Sequence, residues 1–276
     1  MSGAAGVPVF ALDHVGFAYD GAGDALRDIT LRIAPRERVA LIGANGSGKT
    51  TLLRVLGGLL FPSAGSIRAF GEALDARALA DEATARWFRR RVGLVFQNAD
   101  AQLFSTSVRE EIAFGPLHLG LARDEVERRV GDVAGMLGLD GLLERPPFRL
   151  SGGEKKKVAI ASVLVINPEV ILLDEPTAGL DPRTQAWLLD LLPELHRAGK
   201  TLVSATNDLD LVPLFADRVI ALDESHAIVA DGPAGTILAD RDLLRRANII
   251  HEHAHRHGEG WHTHSHFHGG EHEHEH

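Results

Sequence analysis

Short apolar runs set off by glycine and proline recur along the first 250 residues: Val39-Ala40-Leu41-Ile42, Val92-Gly93-Leu94-Val95-Phe96, Val170-Ile171-Leu172-Leu173 and Thr201-Leu202-Val203-Ser204. Runs this short with little polar alternation suit strands covered on both faces, as in a parallel sheet. Between them the period lengthens. Val126, Val130, Val133 and Leu137 recur at steps of four, three and four, one apolar helical stripe with charges opposite. Strands alternating with helices predict an α/β fold on a parallel sheet. The first forty residues follow another rule, since Phe10-Ala11-Leu12-Asp13-His14-Val15 and Ile29-Thr30-Leu31-Arg32-Ile33 alternate apolar with polar or small residues. That is the pattern of half-exposed antiparallel strands, and Ser66-Ile67-Arg68-Ala69-Phe70 adds another. The prediction is a small N-terminal antiparallel β layer beside the parallel core, with a mostly helical insert at about residues 98–165.

Near Ile250 the pattern stops, dividing the chain into a body, residues 1–250, and a tail, residues 251–276. Eleven of the fifteen histidines lie in the tail: His251, His253, His255 and His257, then His262, His264, His266 and His268, then His272, His274 and His276. Neutral imidazole is a common ligand for Ni²⁺, Co²⁺, Zn²⁺ and Cu²⁺, so the tail is read as a transition-metal ligand array. It has few apolar residues and no means of burying a core, which predicts disorder without metal. Near pH 7 its imidazoles are mostly neutral, and metal would be released as they charge below about pH 6.5.

Composition removes several functions. With 38 acidic against 29 basic residues and a formal charge of −9, the chain has no basic face to displace counterions from nucleic acid, and none is expected as a partner. The absence of cysteine excludes disulfides, thiolate metal sites and a cysteine nucleophile. No uncharged apolar run reaches the roughly eighteen residues that span a bilayer, and MSGAAGVPVF lacks the basic start and apolar stretch of a signal peptide. The expectation is a cytoplasmic, soluble chain.

Gly43-Ala44-Asn45-Gly46-Ser47-Gly48-Lys49-Thr50 fits GxxxxGK[ST] between an apolar strand and the helical run beginning at Thr51. Glycines let such a loop wrap so that backbone N–H groups and the helix N-terminus face phosphate oxygens. Lys49 would reach the β- and γ-phosphates of ATP, and the Thr50 hydroxyl would ligate Mg²⁺. Val170–Leu173 ends in Asp174-Glu175. Asp174 can hold the Mg²⁺ shell, and Glu175 can orient and deprotonate an attacking water. Leu150-Ser151-Gly152-Gly153-Glu154 opens a further helix. Ser151, Gly152 and Gly153 there form an anion site without a lysine of its own, so two incomplete phosphate sites suggest completion by a second copy.

On these motifs the chain resembles the ATP-binding cassette (ABC) ATPases over about residues 7–235. The resemblance implies a P-loop NTPase core and two subunits stacked head to tail, each ATP lying between the phosphate loop of one and the LSGGE segment of the other. It implies that Tyr19 stacks on adenine, that Gln97 touches Mg²⁺ or water and couples the helical insert to the nucleotide, and that Ala178-Gly179-Leu180-Asp181 crosses the dimer interface. One position departs. Where the family has a histidine on the γ-phosphate, this sequence reads Ser204-Ala205-Thr206-Asn207-Asp208. Asn207 can donate an amide hydrogen bond but cannot become cationic, which predicts slow but real turnover.

The stretches Gln97–Phe104, Val108–Pro116, LSGGEKKKVAIA and Leu238–Leu244 more narrowly resemble the ATPases of energy-coupling-factor uptake systems, particularly the cobalt/nickel group. That implies a transmembrane coupling subunit, a substrate-binding membrane subunit, and a position on the cytoplasmic face of the cell membrane. Gln102, Leu103 and Phe104 would then meet the membrane partner. The same machinery carrying a vitamin, and a soluble cassette protein with a metal-storage tail, remain alternatives.

Overall fold

The computed structural model describes residues 6–21, 23–257 and 260–267. The chain opens with β1 (Phe10–Ala18) and β2 (Asp24–Ile33), runs through β3 (Arg38–Gly43) into α1 (Lys49–Leu56), and returns to β4 (Ala64–Ala69) and β5 (Glu72–Ala73). Helices α2 (Ala76–Ala80) and α3 (Glu82–Arg89) lead to β6 (Val92–Val95). Then α4 (Val108–His118), α5 (Arg123–Leu137) and α6 (Gly152–Leu164) precede β7 (Val170–Asp174). The order continues α7 (Pro182–Arg197), β8 (Thr201–Ala205), α8 (Val212–Phe215), β9 (Arg218–Leu222), β10 (Ile228–Pro233), α9 (Ala234–Ala239) and α10 (Arg241–Arg246).

The predicted fold class is the one observed. Strands β9, β3, β8, β7 and β6 run parallel in that order, with β10 antiparallel on the edge of β9. A separate antiparallel sheet has the order β2-β1-β4-β5. The continuous apolar runs have a direct cause: Val39, Leu41, Val170 and Leu172 pack with β1, β2 and α1, while Ala40, Ile42, Ile171 and Leu173 pack with the helices on the opposite face. Each Val, Leu or Ile among them contributes about 1.5–3 kcal/mol on full burial, so neither face of these strands accepts a polar residue cheaply. Helices α4, α5 and α6 pack on one another beside β6.

Strand β2 starts at Asp24, well before the alternation becomes visible at Ile29. Its pairing with β1 shifts register three times, between Leu12 and Val15, between Val15 and Phe17 and between Phe17 and Ala18, and each shift breaks the period of two.

Within the described part of the tail, strands stand where disorder was expected. β11 (Ile250–His257) and β12 (Gly260–Phe267) pair antiparallel, in register from Ile250 opposite Phe267 to His257 opposite Gly260. The His-x-His alternation has a strand's period. Ile250 itself is buried in the core beside Leu244 and Ile249. Among the tail histidines, His268, His272, His274 and His276 lie outside the described residues.

Candidate functional site

The loop between β3 and α1 closes over the C-terminal edge of the parallel sheet. Gly48 lies in the left-handed region at φ +107°, and a Cβ there would stand 2.3 Å from the Ala25 carbonyl oxygen, so only glycine fits. A Cβ on Gly43 would meet Ser47 Oγ at 2.4 Å. Lys49 is buried, and its Nζ donates to the carbonyls of Gly43 at 2.7 Å and Ala44 at 3.1 Å, tying the loop to its own start. Desolvation holds its pKa below the usual lysine range, against the opposing pull of Glu175 and Asp174.

Two carboxylates follow β7. Asp174 Oδ1 accepts from Thr50 Oγ1 at 2.9 Å, which brings a hydroxyl and a carboxylate oxygen together, the hard-oxygen donor set that Mg²⁺ takes. Burial raises the Asp174 pKa, with the Thr50 hydrogen bond and nearby cations opposing. Glu175 has φ +41°, a strained setting for a side chain of its size, fixed by its N–H donating to the Ala205 carbonyl at 3.0 Å. Its Oε2 accepts from the Asn207 N–H at 3.2 Å. Burial is the main cause raising its pKa, with the Asn207 N–H and Lys49 opposing. Asn207 also reaches the loop: its Nδ2 donates to Asn45 Oδ1 at 2.7 Å, while its own Oδ1 is buried without a partner.

These groups face one cavity of about 490 Å³. Asn45, Gly46, Gly48, Lys49, Thr50 and Thr51 line it together with Tyr19, Gln97, Glu175 and Asn207. Tyr19 is fixed by an edge contact with Phe17 at 4.9 Å and by its hydroxyl, 3.3 Å from Thr51 Oγ1. Gly43, Ser47 and Asp174 do not line the cavity themselves, and Asp174 joins it through Thr50.

Ser151, Gly152 and Gly153 are not brought to this cavity. Ser151 caps α6: its Oγ accepts from the Glu154 N–H at 3.3 Å, and Glu154 Oε2 accepts from the Ser151 N–H at 2.8 Å. Gly152 has open space around it, whereas a Cβ on Gly153 would stand 2.5 Å from Thr184 Oγ1. Asp181 caps α7 through Arg183 N–H at 3.0 Å and Thr184 N–H at 3.1 Å.

Three features escape sequence reasoning. Gln102 and Leu103, expected at the docking face, make internal contacts: Gln102 accepts from the Phe96 N–H at 3.0 Å and donates to the Ala159 carbonyl at 3.0 Å, and Leu103, half-buried, packs on the core. Of the three only Phe104 is exposed, at 66%, with its ring edge-on to Phe114 at 4.8 Å beside Leu117 in a groove of about 570 Å³. Buried Glu111 fixes the approach by accepting from the N–H groups of Phe104 at 2.8 Å and Ser105 at 2.7 Å. Lys156 is the second feature, a buried ammonium whose pKa desolvation lowers to about 8. His226 is the third; it lines the nucleotide-sized cavity at φ +64°, with Nδ1 buried and unpartnered.

Comparison with known proteins bears on the whole arrangement. The sequence pattern described as ABC transporter matches residues 26–178. The Nickel import ATP-binding protein NikO of Rhodobacter capsulatus is 51% identical over 246 residues, covering 88% of this chain and 96% of that one. The solved structure of cbiO1 from Clostridium perfringens, described as part of the ABC transporter complex cbiONQ, superposes with a TM-score of 0.74 at 35% identity, covering 88% and 95% of the two chains. The ATP-binding cassette MJ0796, solved as a dimer bound to ADP and Pi in a post-hydrolysis state, superposes with a TM-score of 0.73 at 27% identity over 82% and 98%.

Proposed function

The chain belongs to the ABC transporter family, an ATP-binding, ATP-hydrolysing cassette, and we propose that it energises a membrane importer of a divalent transition metal, cobalt or nickel, from the cytoplasmic face of the cell membrane. The observation that carries the cargo assignment is the 51% identity, over nearly the full length of both chains, with a protein named for nickel import. The histidine-rich tail supports it independently, because imidazole nitrogen binds the same cations.

Two copies, or this chain and a similar one, bind each ATP between the loop at Gly43–Thr50 and the partner's Ser151–Gly153, which accounts for the absence of those residues from the cavity of a single chain. The dimeric MJ0796 supports this arrangement. Thr50 and Asp174, with Gln97 nearby, would hold Mg²⁺, which supplies charge neutralisation on the β- and γ-phosphates. Glu175, its proton affinity raised by burial, takes a proton from the attacking water. Asn207 holds Glu175 and Asn45 in fixed relation while offering the phosphate only a neutral donor, so hydrolysis is slow. Closing and opening of the dimer pass through Gln97 to the Phe104–Phe114–Leu117 groove, where a helix of the transmembrane coupling subunit docks, with a substrate-binding membrane subunit beyond it.

Residues 1–250 are the ATPase body, and 251–276 buffer or sense metal at the cytoplasmic face. The pairing sets His251, His253 and His255 at register positions opposite His266, His264 and His262. Accumulation of radioactive nickel and cobalt in cells carrying the whole gene cluster tests the reading. Metal should accumulate with the native chain and not with Glu175→Gln; uptake of a vitamin with no metal uptake would overturn the cargo. Truncation after Ile250 should keep ATPase activity and abolish most Ni²⁺ and Co²⁺ binding by calorimetry, and an unchanged stoichiometry would remove the tail's role.

A further inference from the structure

Lys156 is 2% exposed, and its Nζ donates to the carbonyls of Phe96 and Gln97, each at 3.2 Å. It lies one turn into α6, the helix that Ser151 caps. Two more side chains hold the same stretch against α6. Gln102 accepts from the Phe96 N–H at 3.0 Å and donates to the Ala159 carbonyl at 3.0 Å and Ser162 Oγ at 3.2 Å, and Lys155 Nζ donates to Asp100 Oδ1 at 2.6 Å.

The grip joins two places the single chain keeps apart. Gln97 lines the cavity with Lys49, Thr50 and Glu175, while Ser151–Gly153 at the start of α6 do not. A hydrogen-bonded helix transmits displacement along its axis, so whatever moves Ser151–Gly153 also moves Lys156. An ammonium bonded to carbonyls out of water makes charge-assisted hydrogen bonds, which resist stretching more than neutral ones do. Neighbouring Lys155 and Lys157 are less buried, and neither touches Phe96 or Gln97 in the described contacts, so the link is specific to the middle lysine of the run.

We propose that Lys156 is a positioning residue that places Gln97 according to what the Ser151–Gly153 helix start has bound. The inference rests on the reading of that start as the second half of a nucleotide site. Each site would then report its occupancy to the other through α6 rather than through the coupling subunit.

The test is a double-mutant cycle on the full-length protein, read by steady-state ATPase kinetics. Lys156→Met keeps the stem and removes the ammonium; it should lower kcat about tenfold, as small misplacements of a site group do, while KM moves less than about twofold. Lys156→Arg should recover most of the loss. In a Gln97→Ala background Lys156→Met should cost less than about twofold more, because the residue acts through Gln97. If Lys156→Met does not fold, Lys156→Gln, whose shorter and neutral amide gives up the charge-assisted bonds to the two carbonyls, enters the same cycle with the same expected loss. An unchanged kcat, or equal losses in both backgrounds, overturns the proposal. Light scattering of Glu175→Gln with ATP separates the parent reading: if ATP drives no dimer, the composite site and the proposal fall together; if it does and the cycle is additive, only Lys156 falls.

Discussion

Replacing Asn207 by histidine tests the most distinctive feature of the hydrolytic site. Asn207 contributes in two ways: its backbone N–H donates to Glu175 Oε2 at 3.2 Å, and its side-chain Nδ2 donates to Asn45 Oδ1 at 2.7 Å. The first contact is made by the backbone and survives substitution by histidine or alanine, so Glu175 keeps its orientation. The side chain is what changes. A neutral amide hydrogen bond is worth about 0.5–1.5 kcal/mol and one from a charged group about 1.5–3 kcal/mol, a difference of about 1–1.5 kcal/mol. If that difference is realised only as charge develops on the γ-phosphate, it corresponds to roughly a tenfold rise in kcat. The gain should grow as pH falls toward about 6.5, where imidazole becomes cationic. Asn207→Ala, losing the Asn45 tie, should fall below the native rate. Phosphate release by the dimeric protein over a pH series is the assay. A histidine variant no faster than the native protein, or an alanine variant equally fast, refutes the assignment of slow turnover to Asn207.

How much of this was legible depends on where each signal is stored. The parallel core was legible because burial on two faces writes itself as uninterrupted apolar sequence, and the phosphate loop because Gly48 occupies a backbone conformation that other residues rarely adopt. Lys156 was not, since it sits in Lys155-Lys156-Lys157, a run that reads as a solvated face. Only the helical rotation that turns the middle member toward Phe96, far away in sequence, separates it from its neighbours. The internal contacts of Gln102 were hidden for the same reason: its partners are backbone and hydroxyl groups of α6, invisible to local pattern. The exposed Phe114 and Leu117 were hidden by excess, because α4 also buries Ile112, Ala113 and Pro116, and a helix apolar on most sides does not reveal which side faces out.

The remaining perturbations probe separate parts of the molecule. Phe104→Ser with Phe114→Ser should leave ATPase activity of the isolated protein within about twofold and abolish metal uptake in cells, since both rings are exposed and neither lines the nucleotide cavity. His226→Asn tolerates the positive φ and removes the ring; a loss of ATP affinity of about three- to tenfold in fluorescence titration would place His226 on the nucleotide, and an unchanged Kd would exclude it. Asp217 accepts from Arg38 Nε at 2.8 Å and Nη2 at 2.6 Å, which holds its pKa below the usual carboxylate value of 3.8. Its contribution is therefore complete above the unfolded pKa and is lost as pH falls through the folded one. With the carboxylate 65% exposed, Asp217→Asn should cost under about 1 kcal/mol at pH 7 and less in acid, by urea titration. The two glycines Gly48 and Gly152 make the sharpest contrast. Alanine at Gly48 would set a Cβ 2.3 Å from the Ala25 carbonyl at φ +107°, so Gly48→Ala should weaken ATP binding by the single protomer and lower the melting temperature. Alanine at Gly152 meets nothing within 4 Å, so Gly152→Ala should melt within about 0.5 kcal/mol of the native protein and bind ATP equally well as a protomer. Its methyl group would instead intrude where the other copy's ATP must approach the helix start, lowering the ATPase rate and ATP-driven dimerisation together. Loss of protomer ATP binding in Gly152→Ala would mean that both phosphate contacts belong to one chain, and the two-copy site would have to be abandoned.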